Sequence, residues 1–221
     1  MGIMATSFSD ELRQEVEPIW KKIFAHPFIQ EIQAGTLPLE KFRYYVIQDY
    51  HYLEGFGRTV SIALSKGSDT ETLRKLARRV NTPIERPLHA KMFGMLKIEQ
   101  QEVDRVGPSP TNLAYINHMV TSAATGGVGE AAAALLPCPW SYHVLGSRLT
   151  LPGHPVYDAW VESYHSGILE ASTAAWRDLV DTFAEEAGPT VRETMRKAFL
   201  ASSRYEHQFW TMAYNMESWP A

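Results

Sequence analysis

The sequence is poor in the features that mark secreted or membrane proteins. It contains one cysteine, Cys138, so no disulfide can form within the chain, which indicates a reducing compartment. No apolar run approaches the roughly 20 residues of a membrane-spanning helix, and no charged-then-apolar signal segment opens the chain. Met1-Gly2 with Thr6 fits a loose myristoylation pattern, which we discount because Met4 is an equal candidate for the start. We expect a cytoplasmic protein that does not bind membranes.

The chain also lacks an excess of positive charge. It has 21 Lys and Arg against 25 Asp and Glu, a formal net charge of −4, which argues against a nucleic-acid binder that neutralises phosphates. The GxGxxG, Walker A, HExxH and CxxC motifs are absent, so nucleotide, zinc-protease and dithiol chemistry have no motif to support them. With 45% hydrophobic residues and no linker-like change in composition, residues 1–221 are expected to form a single globular domain.

Helical periodicity extends along the whole chain. Apolar residues at helical spacing predict one helix from about Leu12 to Ile23, a long helix from Pro38 past Leu64, and a last helix that ends near Met216. Ser68 or Asp69 is a candidate N-cap, and Pro83 and Pro87 are expected to kink or break the segment that follows.

The second half of the chain is divided by glycine and proline. An Ala-rich helix is expected to begin near Glu130 and to run into Pro137, and a long helix is expected from Pro155 to about Phe183. No segment alternates between apolar and polar residues in the manner of a strand. The sequence therefore predicts an all-α protein, a helical bundle of about seven helices.

Two carboxylates interrupt apolar helical stripes. On a helical wheel Asp49 shares its face with Phe42, Tyr45, Val46, Tyr52, Leu53 and Phe56, and Glu206 shares its face with Met195, Phe199, Ser202, Phe209, Trp210 and Ala213. Burial of a carboxylate costs several kcal/mol unless a partner or ligand offsets it. Either residue alone is equally consistent with a core carboxylate that bonds to a tyrosine. Two of them among aromatic residues favour a shared polar cavity.

Four tyrosines are candidates for the walls of that cavity. Each is consistent with a core phenol that needs one hydrogen bond, but together they are suited to stack on a flat heteroaromatic ligand: Tyr52, Tyr115, Tyr142 and Tyr164. Cys138 lies between Pro137 and Pro139, and the two prolines predict an interrupted helix that exposes the thiol to a cavity. A buried inert thiol is the common alternative. Near a carboxylate base the same thiol fits the arrangement of a catalytic nucleophile.

Histidine and glutamate at helical spacing raise the question of a metal. Glu162 and His165 form one Glu-x-x-His pair, and Glu85 with His89 and His51 with Glu54 are also helical neighbours. Di-iron bundles use two Glu-x-x-His pairs with further glutamates. Because only one such pair is present, we expect no metal and favour solvated or supporting roles for these histidines.

Four segments, taken in order, resemble the TenA family, also called thiaminase II. They are Gln48-Asp49-Tyr50-His51-Tyr52-Leu53, Leu136-Pro137-Cys138-Pro139-Trp140-Ser141-Tyr142, Glu162-Ser163-Tyr164 and Tyr205-Glu206-His207-Gln208-Phe209-Trp210. The resemblance covers nearly the whole chain. It implies a haem-oxygenase-like all-α fold, a homotetramer without a cofactor, and hydrolysis of thiamin-related aminopyrimidines to hydroxymethylpyrimidine for thiamin salvage.

The resemblance also implies residue roles. Cys138 would be the nucleophile, Glu206 the acid/base group at a ring nitrogen, and Asp49 the partner of the pyrimidine amino group and the neighbouring ring nitrogen. The remaining positions would line the slot: Tyr52, Tyr115, Tyr142, Tyr164 and Phe209. Cys138 places the chain in the branch of the family that carries a thiol where other members have glutamate.

Two other functions remain possible from the sequence. A metal-dependent oxidase with a haem-oxygenase-like bundle would use Glu162, His165 and further His or Glu residues, and would carry stoichiometric iron. A non-enzymatic regulator is the second, because some members of the family are described as transcriptional activators. The net acidity and the lack of a helix-turn-helix signal argue against direct contact with DNA.

Overall fold

The computed structural model describes residues 6–80, 85–165 and 167–220, and these residues form α-helices joined by short connections without any strand. The prediction of an all-α fold is confirmed. The helices are α1 (Phe8–Glu15), α2 (Glu17–Phe24), α3 (Pro27–Gln33), α4 (Leu39–Leu64), α5 (Thr70–Val80), α6 (Glu85–Leu96), α7 (Gln100–Val106), α8 (Pro110–Thr125), α9 (Val128–Leu135), α10 (Pro137–Gly146), α11 (Pro155–Tyr164), α12 (Ile168–Glu186) and α13 (Pro189–Asn215). Within those ranges, no helix is both long enough and apolar enough to cross a bilayer.

The described helices outnumber the seven predicted, in part because single residues break two of the expected long ones. Val16 leaves helical geometry with ψ near 1° between α1 and α2, where Pro18 withholds a backbone donor from the next turn. Gly167 adopts a φ of 72° between α11 and α12, a left-handed conformation that glycine tolerates and other residues rarely adopt. Helical periodicity continues across both breaks, so the apolar pattern gave no sign of them.

Two other sequence signals of helix ends agree with the structure, and a third, Pro87, does not. Asp69 accepts a 2.8 Å hydrogen bond from the backbone N–H of Thr72 and so caps the start of α5. Pro137 occupies the first turn of α10 directly after α9, so the predicted interruption near Cys138 is confirmed. Pro87 does not break a helix; it lies in the first turn of α6, where its missing N–H is not needed. Pro83 lies outside the described residues.

The two long helices α4 and α13 hold the centre of the bundle. Helix α4 packs most extensively against α8, and α13 packs most extensively against α9. The α4–α8 contact is close at Gly55, where an added Cβ would lie 2.7 Å from Cγ2 of Ile116. The short helix α9 is buried along its whole length, as are Cys138 and its flanking prolines at the start of α10. The chain therefore carries its thiol into the interior of the bundle.

A short C-terminal segment closes one end of the α4–α8 pair. The carboxylate of Glu217 accepts hydrogen bonds of 2.9 Å from the backbone N–H and the hydroxyl of Thr111, in the first turn of α8. The hydroxyl of Tyr44, on α4, donates to the backbone carbonyl of Glu217. A carboxylate at a helix N-terminus satisfies donors that have no partner within the helix and interacts favourably with the helix dipole. Residues near 217 therefore fix α8 relative to α4.

Candidate active site

A small pocket that opens to solvent lies between α4, α8, α10 and α13. Its lining is Asp49, Tyr52, Tyr115, Cys138, Tyr142, Glu206 and Phe209. Three of the four helices contribute two residues each, at a spacing of three or four positions, which places both side chains on one helical face. The structure thus brings together seven of the eight residues named from the sequence. Their roles toward a substrate stay predictions.

Glu206 is buried in the wall of this pocket, with 3% of its surface exposed. The hydroxyl of Tyr115 donates to Oε1 at 2.6 Å, and the hydroxyl of Ser141 lies 3.5 Å from Oε2. Loss of hydration raises the pKa of Glu206 from 4.5 to about 7; the charge of Asp49 adds to the rise, and the two hydroxyls oppose it. A carboxyl group with a pKa near neutrality can both give and take a proton at physiological pH.

Asp49 faces the same pocket and is held from behind by a histidine. Nε2 of His89, on α6, lies 3.0 Å from Oδ2 of Asp49. His89 is buried, and the Asp49 side chain is 15% exposed. A carboxylate accepts hydrogen bonds, so the imidazole donates from Nε2. The pocket therefore has one carboxyl group bonded to hydroxyls and a second bonded to an imidazole.

The thiol of Cys138 lies beside the hydroxyl of Tyr52, and both side chains are buried. Burial is the main cause that raises the pKa of Tyr52 well above 10, and Cys138, Tyr115 and Glu206 add to it. The Tyr52 hydroxyl oxygen is inaccessible to solvent and forms no hydrogen bond within the described residues. A buried polar atom without a partner is uncommon in a folded protein and costs about 1–3 kcal/mol. Here it faces the pocket next to the thiol.

Aromatic rings form most of the remaining wall. The Tyr52 and Tyr115 ring centroids are 5.0 Å apart, and Phe209 packs edge-on against Tyr52 at 5.8 Å. The Tyr142 hydroxyl lies 3.0 Å from that of Tyr45 in the core. Such rings offer flat apolar surfaces with a few fixed polar atoms, which suits a small planar heterocycle.

Tyr164 lies one layer behind the pocket. It is half-buried at the end of α11, and its ring centroid is 5.4 Å from that of Tyr142, which does line the pocket. Gly146 permits this approach, because an added Cβ there would lie 2.8 Å from Cβ of Tyr164. The sequence-based prediction that Tyr164 lines the slot stays a prediction; in the structure its ring contacts Tyr142, which lines the pocket.

Sequence reasoning missed Ser141, Tyr45 and the contact between His89 and Asp49. Ser141 follows Cys138 by three positions and bonds to the Cys138 carbonyl at 3.2 Å as well as approaching Glu206. Its position one turn from the thiol was a usable signal, since that spacing returns a side chain to the same helical face. His89 gave no such signal, because it reaches Asp49 across 40 positions of sequence.

The one Glu-x-x-His pair considered for a metal, Glu162 and His165, does not line the pocket. Glu162 and His165 are exposed, and Nε2 of His165 lies 3.0 Å from the carbonyl of Leu149. Across the described part of the chain, no three His, Cys, Asp or Glu side chains are grouped in a way that could hold a metal ion. Glu162 and His165 therefore give no support to a metal-dependent oxidase.

Comparison with known proteins assigns the chain to a family. Residues 13–216 match the TENA/THI-4/PQQC family. The chain belongs to that family. An aminopyrimidine aminohydrolase of Bacillus subtilis is 37% identical over 216 residues, which cover 96% of this chain and 92% of the relative.

Solved structures agree with the assignment. A TenA homologue from P. horikoshii OT3 is 32% identical, with a TM-score of 0.83 over 95% of this chain and 99% of that one. A domain with a heme oxygenase-like fold from Shewanella denitrificans OS217 aligns with a TM-score of 0.75 over 97% of this chain and 94% of its own, at 15% identity. At that identity the second likeness concerns the fold alone, which is the haem-oxygenase-like bundle expected from the sequence.

Proposed function

We propose that this protein hydrolyses thiamin-related aminopyrimidines and exchanges an amine on the exocyclic methylene for a hydroxyl group. The observation that carries the proposal is the convergence of Cys138, Glu206 and Asp49 on one aromatic pocket. Curated relatives with the name aminopyrimidine aminohydrolase, from Bacillus subtilis and Helicobacter pylori at 37% and 31% identity over most of this chain, support the same reaction class.

Glu206 is suited to protonate a ring nitrogen of the pyrimidine. Its pKa of about 7 leaves a large fraction protonated at neutral pH, and its burial keeps bulk water from competing for the proton. A protonated ring nitrogen draws electrons from the adjacent carbon and makes that carbon electrophilic. Glu206 therefore prepares the ring for addition of a nucleophile.

Cys138 is the proposed nucleophile. Its sulfur gives up its proton and forms a bond to the activated ring carbon, and the electron pair displaced through the ring expels the amine, which takes up a proton. Water then loses a proton as its oxygen bonds to the exocyclic methylene, and the sulfur departs with its bonding electrons and regains a proton, which restores the aromatic ring. The net change is consumption of one water and release of one amine.

Asp49 and the tyrosines are proposed to orient the ring. Asp49 would accept from the pyrimidine amino group, and stacking on Tyr52 and Tyr115 would hold the ring plane near the sulfur. Correct placement of two reacting groups contributes several kcal/mol in well-aligned cases. None of the proposed steps requires a metal or an organic cofactor.

The deciding experiment offers the purified protein two substrates, the aminomethyl pyrimidine and intact thiamin, and follows release of the pyrimidine alcohol by chromatography. We expect hydrolysis of at least one, and the ratio of rates reports how much space lies beyond the methylene. Absence of the alcohol with both compounds would rule the proposal out. Stoichiometric iron with redox activity, or a salt-dependent shift of DNA, would instead favour an oxidase or a regulator.

The biological setting is part of the proposal. Hydroxymethylpyrimidine is a building block of thiamin, so we propose a role in thiamin salvage in the cytoplasm, by residues 1–221 acting as one domain within a homotetramer. Sedimentation equilibrium of the purified protein tests the assembly, and growth of a deletion strain on aminopyrimidine as the thiamin source tests the role in salvage.

A further inference from the structure

One buried polar residue at the pocket wall has no part in the proposed chemistry. His89 lies behind Asp49, with Nε2 3.0 Å from Oδ2. We propose that His89 is a positioning residue: it holds the Asp49 carboxylate in the orientation that receives the pyrimidine amino group. This inference rests on the proposed function and deepens it, because it assigns a residue that never touches the substrate to substrate recognition.

The imidazole is itself held in place on several sides. It packs edge-on against Tyr50 at 5.8 Å between ring centroids and lies 6.1 Å from Phe93. Its helix is anchored by Leu88 and Met92, which are buried in the core. A side chain with fixed neighbours loses little entropy when it forms a hydrogen bond, so this one can act as a rigid support for Asp49.

The position of Asp49 explains why such a support is needed. Its side chain is 15% exposed at a pocket that is continuous with solvent, so water competes for both carboxylate oxygens. A carboxylate that swings toward water leaves the ring of the substrate without its polar partner. His89, on α6, donates a hydrogen bond to Oδ2 of Asp49 and so keeps the carboxylate turned toward the pocket. Groups that act in this supporting way are common behind catalytic and binding residues.

A core histidine with no link to binding is the alternative, and a double-mutant cycle separates the two. If His89 acts through Asp49, its loss matters only while Asp49 can bind the amino group. We therefore compare H89F and H89Q with the wild-type protein, and H89F/D49N with D49N alone. Phenylalanine keeps a ring but has no donor, whereas glutamine keeps an N–H donor at a similar reach.

We expect H89F to lower kcat/KM about tenfold, mainly through a higher KM, because uniform binding of the ring is weakened. H89Q is expected to recover kcat/KM to within about threefold of wild type, since it restores a donor. In the D49N background the same His89→Phe change should alter kcat/KM by less than about twofold. Thermal melting of every variant measures how much stability each substitution removes.

His51→Phe serves as the matched control. His51 is part-buried, with Nε2 3.1 Å from the carbonyl of Val103, and that carbonyl keeps a second bond from the N–H of Gly107. It lies on α4 but does not line the pocket. We expect H51F to keep the wild-type KM. If kcat/KM of H51F falls as far as that of H89F, the loss reflects a general structural role of histidines in this region. That result would overturn the proposal.

The remaining outcomes are distinct. Equal losses from His89→Phe in the wild-type and D49N backgrounds, or an H89F protein with unchanged kcat/KM, overturn the positioning role and leave the proposed function intact. A wild-type protein that releases no pyrimidine alcohol overturns the proposed function, and the role of His89 with it.

Discussion

Tyr115 donates a 2.6 Å hydrogen bond to Glu206 at a point where almost no surface of either residue reaches solvent. The bond lowers the pKa of Glu206, while burial and the charge of Asp49 raise it to about 7. Since Tyr115 is on α8 and Glu206 on α13, the acidity of the carboxyl group depends on how these two helices pack. This relationship makes the pH response of the site accessible to mutation.

Replacement of Tyr115 by phenylalanine is expected to raise the pKa of Glu206, because the substitution removes a donor that favours the charged form. If Glu206 acts as an acid, activity falls as pH rises through its pKa, and in Y115F that fall moves to higher pH. The measurement is kcat against pH. Tyr205→Phe is the control: its ring stacks on Tyr115, and its profile should follow that of the wild-type protein. An unmoved profile in Y115F would contradict the assignment.

Stability should depend on pH through Glu206. Its pKa is about 7 when folded and near 4.5 when exposed, so the folded state binds more protons. The stabilising contribution is complete below about pH 4.5 and is lost as pH rises to about 7. At ~1.36 kcal/mol per pH unit, this amounts to at most about 3 kcal/mol.

Glu206→Gln isolates that contribution. Its free energy of unfolding, measured with urea at pH 5 and pH 8, should exceed the wild-type value at pH 8 by up to about 3 kcal/mol, with a smaller difference at pH 5. Hydrolysis should be lost at both pH values. An equal difference at the two pH values would indicate that Glu206 does not titrate in this range.

Cys138→Ala and Cys138→Ser are expected to fold and to lose hydrolysis, by about a thousandfold or more, because the nucleophile is absent. Circular dichroism and thermal melting check the fold, and chromatography of the pyrimidine alcohol checks turnover. Substantial turnover by folded C138A would refute the covalent mechanism and leave direct attack by water as the explanation.

Tyr52→Phe should separate stability from activity. The Tyr52 hydroxyl is buried without a hydrogen bond in the described structure, so its removal is expected to leave the free energy of unfolding unchanged or to raise it by up to about 2 kcal/mol. Activity should fall, since the hydroxyl lies beside the thiol. In the matched variant Tyr45→Phe, the hydroxyl of Tyr142 loses its 3.0 Å partner, and stability should fall by about 1 kcal/mol. The opposite order of the two stabilities would count against this account.

Gly55→Ala tests the contact between α4 and α8. The added methyl group would lie 2.7 Å and 2.8 Å from Cγ2 and Cγ1 of Ile116, so the helices must separate or Ile116 must change rotamer. We expect a loss of about 1–3 kcal/mol of stability by urea unfolding. The double variant G55A/I116V, with a smaller side chain opposite, should recover part of the loss; no recovery would place the strain elsewhere.

The sequence was informative about residues whose position on one helix face determines whether they are buried. Asp49 and Glu206 interrupt apolar stripes, and a buried charge is costly enough that such an interruption indicates a special site. The two prolines beside Cys138 predicted the break between α9 and α10. The resemblance to TenA proteins then supplied the roles that periodicity alone leaves open.

The rest depends on contacts between distant segments. His89 approaches Asp49 only because α6 packs beside α4, and Ser141 approaches Glu206 only when α10 meets α13. Tyr164 has the periodicity of a core residue, and its distance from the pocket depends on how closely α11 approaches α10 at Gly146. The helix breaks at Val16 and Gly167 each follow from the backbone conformation of one residue. The apolar pattern continues across both breaks, so hydrophobic periodicity does not predict them.

The bonds that Glu217 makes have a practical consequence for anyone who engineers this enzyme. Glu217 anchors Thr111, and Tyr115 stands one turn further along the same helix, with its phenol on Glu206. A fusion partner or affinity tag that displaces the residues around Glu217 would therefore disturb the hydrogen bond between Tyr115 and Glu206 from a distance, without altering any residue that lines the pocket.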